Sequence, residues 1–108
     1  MKVLEGKAAI VTGSARGIGR ATAELLAGHG ARVLVNDRDG DLAAEAAAAI
    51  GGETACFAGD LTADGVCEAL VQKAVDEFGQ LDIVVNNAGY TWDGMAHRMG
   101  DEQFRAML

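Results

Sequence analysis

Short apolar runs alternate with segments of helical periodicity along the whole chain. Four runs are almost continuously apolar, which is typical of strands buried on both faces of a parallel sheet; they cover residues 7–13, 31–37, 54–60 and 81–89. Three segments between them predict helices, at residues 17–30, 39–52 and 62–79. This order predicts βαβ units with right-handed crossovers, and therefore an α/β fold with a doubly wound parallel sheet and helices on both faces.

The spacing within two of the helical segments predicts which side faces the core. In the first helix the predicted core side consists of Ile18, Ala21, Leu25 and Leu26. In the third helix it consists of Val66, Leu70, Ala74 and Phe78, with Val71 and Val75 beside them. Thr62 or Asp64 can serve as the N-cap of this third helix.

Composition narrows the class of protein. A chain of 108 residues is long enough for one modest core and too short for two domains. Its formal net charge of −7 argues against a nucleic-acid partner, which would require a basic surface. No apolar run approaches the length of a membrane span and no signal peptide is apparent, so we expect a cytoplasmic protein with no membrane partner. Cys56, Cys67, His29 and His97 form no metal-ligand pattern, so no metal site is expected.

The loop between the first strand and the first helix is rich in glycine, at Gly13, Gly17 and Gly19. In parallel α/β sheets the ligand site lies at the carboxyl ends of the strands, and this loop usually holds phosphate. Gly13 permits a tight turn, while Gly17 and Gly19 let a ligand or the sheet approach the backbone. The N–H groups at the start of the helix would then face a pyrophosphate.

The stretch from Thr12 to Gly19 reads TGxxxGxG and resembles the coenzyme motif of the short-chain dehydrogenase/reductase family. Three further motifs of that family stand at the ends of the other strands: Asp37, the pair Asp60 and Leu61, and NNAG at residues 86–89. An unrelated glycine-rich turn would not explain four motifs at four strand ends. The resemblance covers essentially the whole chain and implies a Rossmann-like fold, of which the chain holds the first four strands and their helices.

The resemblance implies contacts with a dinucleotide at each motif. Along the glycine loop, the implied contact residues are Gly13, Ser14, Arg16, Gly17, Ile18 and Gly19. Asp60 and Leu61 would flank the adenine, unless Asp60 instead caps the following helix. The route to the nicotinamide ribose would be lined by Asn87, Ala88 and Gly89, unless these form only a turn. Asn86 is expected to hold neighbouring strands together.

The residues at the second strand end give two indications about the coenzyme. The carboxylate of Asp37 can accept hydrogen bonds from the adenosine ribose and would repel a 2′-phosphate, which favours NAD. Arg16 and Arg38 are basic residues at positions where NADP-preferring members often carry them, and a guanidinium suits phosphate. The sequence therefore favours NAD, with NADP as the alternative.

The resemblance implies hydride transfer between the nicotinamide and a small-molecule carbonyl or alcohol, in a homo-oligomer that is a dimer or a tetramer. The family uses a Tyr with a Lys four residues later, together with a Ser and an Asn. Tyr90 is followed by Gly94 at that spacing, so the motif is absent and no catalytic residue is assigned. We expect residues 1–108 to be the N-terminal coenzyme-binding part of a single Rossmann-like domain, inactive without its catalytic part.

The end of the chain bears on both the substrate and the alternative function. Residues 90–104 resemble the corresponding segment of 3-oxoacyl-carrier-protein reductases, in which Trp92, Met95 and Met99 would border an acyl substrate or only pack against the following helix. A helix that starts at Asp101 would end on an apolar face, which fits a longer enzyme. If the 108 residues are the whole product, the alternative is a non-catalytic nucleotide-binding module.

Overall fold

The computed structural model describes residues 2–87, in which strands and helices alternate. The elements, in chain order, are β1 (Ala8–Val11), α1 (Gly17–Gly28), β2 (Arg32–Asp37), α2 (Gly40–Ile50), β3 (Thr54–Ala58), α3 (Val66–Phe78) and β4 (Ile83–Val85). The expectations for Ala88, Gly89 and the segments that follow them lie outside these residues. No helix within residues 2–87 has the length and apolar character needed to cross a membrane.

The four strands form one parallel sheet in the order β3-β2-β1-β4. Every residue of β1 is buried, because this strand lies between β2 and β4. On one face, Ile10 and Leu34 pack against the apolar side of α3. On the other face, Val33 and Val35 pack against alanines of α1 and α2. The α/β fold with helices on both faces of a parallel sheet is therefore confirmed.

Helix α1 packs on the sheet through a side different from the predicted one. Gly19 and Ala23 are buried, whereas Ile18 is 79% exposed and Leu25 is 62% exposed. Ala21 is exposed as well, so only Leu26 of the predicted residues contacts the core. Small residues face the sheet because α1 approaches it closely. The prediction was wrong for Ile18, Ala21 and Leu25 and right for Leu26, because helical spacing alone does not show that the smallest side chains face the sheet.

Helix α3 packs largely as predicted, but it begins differently. Leu70, Ala74 and Phe78 are buried, as the spacing indicates, and Cys67 and Val71 complete the buried side. Val75 is 39% exposed. The N-cap residue is Gly65, in a left-handed conformation and without a side-chain cap, so the prediction of Thr62 or Asp64 at this position was wrong.

Candidate nucleotide-binding site

The parallel arrangement brings four loops together at one edge of the sheet, beyond the carboxyl ends of the strands. Backbone hydrogen bonds connect the loops: the N–H of Thr12 donates to the carbonyl of Val85 at 3.0 Å, and the N–H of Gly59 donates to the carbonyl of Asp37 at 3.0 Å. The motif residues within the described part of the chain fall at this edge, where α/β proteins bind their ligands. The glycine loop follows β1 and therefore lies between the loop after β2 and the loop after β4.

Ser14 fastens the glycine loop to the sheet beneath it. Its side chain is fully buried, and its hydroxyl donates to the carbonyl of Val11 at 2.6 Å and accepts from the N–H of Asn36 at 3.1 Å. The N–H of Ser14 donates in turn to the carbonyl of Asn36 at 2.8 Å. The side chain of Ser14 therefore supports the loop from below, and its contact with a ligand stays a prediction.

The glycines of the loop serve different purposes. Gly13 and Gly17 adopt positive φ angles of 58° and 63°, a conformation that favours glycine. A Cβ at Gly17 would meet nothing within 4 Å, so the space beside it is open. A Cβ at Gly19 would instead overlap the carbonyl oxygen of Gly13 and lie 2.7 Å from Nδ2 of Asn87. Gly19 is thus required by packing within the protein itself, whereas the open space lies at Gly17.

The first turn of α1 presents N–H groups that no side chain within residues 2–87 caps. Its N-cap residue, Arg16, is extended and makes no side-chain capping bond, and no acidic residue lies in the first turn. The N–H groups at a helix start lack partners within the helix and carry a partial positive charge. Together with the open space at Gly17, this donor set fits a diphosphate. Ile18 exposes an apolar side chain directly beside it.

Asp37 connects the glycine loop to the turn that precedes α2. Its carboxylate accepts from the N–H of Ala15 at 3.3 Å and from the N–H of Asp39 at 3.2 Å. Nη2 of Arg16 lies 3.9 Å from Oδ1 of the same carboxylate. The side chain of Asp37 is only 10% exposed, whereas that of Arg16 is 69% exposed. A nearly buried carboxylate and an exposed cation therefore border the loop.

Asp60 stands at the end of β3 and forms a turn with Thr62 rather than a helix cap. Its Oδ1 accepts from the N–H of Thr62 at 2.9 Å and from the hydroxyl of Thr62 at 2.6 Å. These two bonds hold the pKa of Asp60 below its usual value. The capping alternative was wrong, because α3 begins only at Val66. Leu61 is 5% exposed and packs in the core.

The end of β4 is joined to the glycine loop by side chains. The hydroxyl of Thr12 donates to Oδ1 of Asn86 at 3.2 Å and accepts from the N–H of Asn87 at 3.0 Å. Nδ2 of Asn87 donates to the carbonyl of Gly13 at 3.1 Å. Asn86 thus links neighbouring strands as expected, and Asn87 is exposed at the edge of the site.

Sequence reasoning missed one residue that shapes this edge. Asn36 is 2% exposed, and its side-chain amide donates to the carbonyl of Phe57 at 3.1 Å. Through this bond and its contacts with Ser14, Asn36 joins the ends of β1, β2 and β3. The signal was present, because Asn36 continues the apolar run of β2, and a polar side chain that is buried has to find hydrogen-bond partners.

A groove of about 1010 Å³ lies at the opposite edge of the sheet, at the amino ends of the strands. Charged residues of both signs line it: Lys2, Glu5, Arg20, Glu24, Arg32 and Glu53. None of the motif residues contributes to this groove. The candidate site is therefore the edge at the carboxyl ends of the strands, where the glycine loop and the N–H groups at the start of α1 lie.

Comparison with known proteins identifies the family of this chain. A family model described as short chain dehydrogenase matches residues 7–108. A 3-oxoacyl-acyl-carrier-protein reductase of Chlamydia muridarum is 41% identical over 110 residues, which cover 98% of this chain and 44% of that protein. A hydroxyacyl-CoA dehydrogenase of Mycobacterium tuberculosis is 44% identical over 113 residues, which cover 97% of this chain and 35% of that protein.

A solved structure is similar as well. The 3-ketoacyl-(acyl-carrier-protein) reductase from Brucella melitensis, complexed with NADH, superposes with a TM-score of 0.72 at 37% sequence identity. The match covers 75% of this chain and 34% of that one. The chain thus spans less than half the length of each of these relatives.

Proposed function

The chain belongs to the short chain dehydrogenase family, and we propose that it supplies the coenzyme-binding half of an NAD(P)-dependent oxidoreductase. The observation that carries this proposal is the uncapped start of α1, which stands beside a glycine loop fastened to the carboxylate of Asp37. A helix start of this kind suits a diphosphate, and a carboxylate at the end of the second strand suits a ribose. Both groups occur together in a dinucleotide.

Different residues of this chain would bind different parts of the coenzyme. The N–H groups of α1 bind the diphosphate, Asp37 accepts from the adenosine ribose hydroxyls, and Asp60 accepts from the adenine amino group. Asn87, with Ala88 and Gly89, orients the nicotinamide ribose. When bound, the nicotinamide would give a hydride to the carbonyl carbon of the substrate or take one from its alcohol carbon.

NAD is the coenzyme that the charges favour. Asp37 is nearly buried and fixed by two backbone N–H groups, so a 2′-phosphate would bring a like charge against a carboxylate that cannot move away. Arg16 and Arg38 provide compensating cations, but both side chains are largely exposed. NADP is therefore the second candidate, at lower affinity.

Coenzyme titration tests the proposal most directly. The protein is titrated with NADH and with NADPH while the fluorescence of the coenzyme is followed, and ADP-ribose is added as a competitor. We expect saturable binding of NADH that ADP-ribose reverses, because the diphosphate and ribose contacts are shared. The absence of binding by either coenzyme at millimolar concentration would contradict the proposal.

A 3-oxoacyl thioester is the substrate class that we propose, because two of the similar proteins are named for reduction of such acyl groups. Oxidation of NADH or NADPH is followed in the presence of a 3-oxoacyl thioester and, as a control, of the corresponding saturated thioester. Oxidation of the coenzyme with the 3-oxoacyl thioester, but not with the saturated thioester, supports the proposed oxidoreductase. Coenzyme binding without turnover would favour the nucleotide-binding module only in a protein whose intact mass shows that it ends at residue 108, because the coenzyme-binding part alone is expected to be inactive.

A further inference from the structure

Arg38 and Asp60 form an ion pair across the ends of two neighbouring strands. Nη2 of Arg38 lies 3.8 Å from Oδ2 of Asp60, and their side chains are 78% and 41% exposed. Packing therefore does little to fix Arg38, and the carboxylate is what orients its guanidinium. The pair connects the proposed ribose end of the cleft with the proposed adenine end.

The orientation of the Asp60 carboxylate is fixed by Thr62. Oδ1 accepts both bonds from Thr62, one from its N–H and one from its hydroxyl. Oδ2 is thereby turned toward Arg38. An aspartate carboxylate is negatively charged at neutral pH, and the same bonds lower the pKa of Asp60 further. Arg38 consequently faces a fixed, charged oxygen.

The order of the strands sets the direction in which Arg38 is drawn. In the sheet β3-β2-β1-β4, Asp60 follows the edge strand β3, whereas the glycine loop follows β1 on the other side of β2. The pair with Asp60 thus draws Arg38 outward, away from the glycine loop and from Asp37. A 2′-phosphate on the ribose held by Asp37 would need Arg38 to turn in the opposite direction.

We propose that Asp60 helps to set the coenzyme preference, by holding Arg38 away from the 2′ position of the adenosine ribose. Asp60 then disfavours NADP through Arg38, in addition to any contact that it makes with the adenine. This inference rests on the proposed function, because it assumes that the ribose lies at Asp37. It assigns to Asp60 a specificity role that its position at the adenine end does not by itself indicate.

The test is the ratio of the dissociation constants for NADP⁺ and NAD⁺, measured by calorimetry. The adenine is the same in both coenzymes, so a lost contact with the adenine cancels in this ratio. Asp60→Asn keeps an oxygen for Thr62 but removes the charge that holds Arg38. We expect the variant to shift the ratio toward NADP⁺ by about twofold to fivefold, the range typical of exposed ion pairs.

The same substitution in an Arg38→Ala background separates the proposed route from a direct effect of charge. If Asp60 acts through Arg38, Asp60→Asn leaves the ratio unchanged when Arg38 is absent. An equal shift in both backgrounds would mean that the charge of Asp60 repels the phosphate directly, and would overturn the inference. No shift in either background would also overturn it.

Two controls keep the outcome interpretable. Parent protein that binds neither coenzyme would refute the proposed function itself, whereas parent protein that binds both, with a ratio insensitive to Asp60→Asn, refutes only the role of Asp60. If Asp60→Asn fails to fold by circular dichroism, Asp60→Ser replaces it, because a serine hydroxyl also accepts from the N–H of Thr62. The expected shift and the double-variant comparison are the same for either substitution.

Discussion

Asp37 has two roles in the proposed site, one in holding the glycine loop and one in binding the ribose. Its carboxylate accepts the N–H groups of Ala15 and Asp39, so it fixes the glycine loop relative to the start of α2. In the proposed complex, the same carboxylate also meets the ribose. A substitution at Asp37 is therefore expected to change both the shape of the loop and the choice between coenzymes.

We predict that Asp37→Ala raises the affinity for NADP⁺ relative to NAD⁺ by about tenfold or more, equivalent to ~1.4 kcal/mol, because a buried like charge is removed. The affinity for both coenzymes should fall at the same time, since the N–H of Ala15 loses its acceptor. Calorimetric titration with each coenzyme measures both effects. Asp41→Ala, which removes an exposed charge from the first turn of α2, is the matched control. An unchanged ratio would count against Asp37 as the selector.

A second prediction at this scale concerns Gly19. A Cβ at this position would overlap the carbonyl oxygen of Gly13 and crowd Nδ2 of Asn87. We expect Gly19→Ala to cost about 1–3 kcal/mol of unfolding free energy, the usual range for overpacking, and to weaken coenzyme binding by displacing the loop. Urea unfolding and coenzyme titration measure the two effects.

Gly28→Ala is the control for that substitution, because it makes the same change at the other end of α1. A Cβ at Gly28 meets nothing within 4 Å. We expect this variant to remain within about 0.5 kcal/mol of the parent, as exposed substitutions usually do, and to bind coenzyme normally. Equal stability of Gly19→Ala and Gly28→Ala would show that the short distance between Gly19 and the carbonyl of Gly13 is not the reason for a glycine at position 19.

Among the elements, the two helices on one face of the sheet show what periodicity can and cannot predict. The extent of α2 follows from its alanine-rich pattern and flanking glycines, and its buried residues are alanines. For α1 the pattern predicted the helix but not its buried side. An apolar stripe at Ile18 and Leu25 competes with a narrow stripe at Gly19 and Ala23, and only the distance between helix and sheet decides between them.

Helix starts set a comparable limit on prediction from sequence. Asp39 caps α2 through Oδ1, which accepts from the N–H groups of Asp41 and Leu42 at 3.1 Å each. At α3, by contrast, Thr62 and Asp64 have suitable side chains, but the chain turns once more before Val66. The residue type alone does not reveal this extra turn. Oδ1 of Asp60 helps to form this turn by accepting from the N–H of Thr62.

The cap of α2 leads to a prediction about stability. Asp39→Ala should cost about 0.5–2 kcal/mol of unfolding free energy, because two N–H groups at the helix start lose their acceptor. The N–H of Asp39 still donates to Asp37, so the ribose end of the cleft keeps its geometry. Urea unfolding checks the loss, and Asp39→Ser should recover most of it. An Asp39→Ala variant with the stability of the parent would show that α2 does not depend on this cap.

Taken as a whole molecule, the fold follows from its sequence more closely than the site does. Four apolar runs and the helices between them lead to a parallel sheet, and parallel strands necessarily bring their carboxyl ends to one edge. The positions of Asp37, Asp60 and Asn87 at that edge follow in turn. The ion pair between Arg38 and Asp60 does not follow from the sequence in this way, because it depends on how far two loops extend beyond neighbouring strands.

The opposite edge of the sheet is held by polar contacts between distant parts of the chain. Oδ2 of Asp82 accepts from the N–H of Ala8 at 2.9 Å and from Nε2 of Gln80 at 2.6 Å. Arg32 donates to the carbonyl of Phe78 at 2.7 Å and lies over its ring, with 5.5 Å between the guanidinium carbon and the ring centroid. These contacts tie β4 and the end of α3 to the centre of the sheet.

The last prediction follows from the Asp82 carboxylate at that edge. The N–H of Ala8, and then the amide of Gln80, hold the pKa of Asp82 below its usual value of 3.8. A carboxylate whose pKa is lower in the folded state stabilises the fold above the unfolded pKa, and loses this contribution as the pH falls through the folded one. Wild-type protein should therefore exceed Asp82→Asn in unfolding free energy at pH 7, and the difference should shrink below about pH 4.

Urea unfolding at a series of pH values measures that difference. Comparison with Asp82→Asn matters, because acidification also protonates the other acidic residues. At a net charge of −7 this relieves repulsion within the folded protein and partly masks the loss. Asp60, whose pKa is also lowered, titrates in both proteins and cancels in the difference. A stability difference that stays constant from neutral to acidic pH would mean that the charge of Asp82 does not secure this edge.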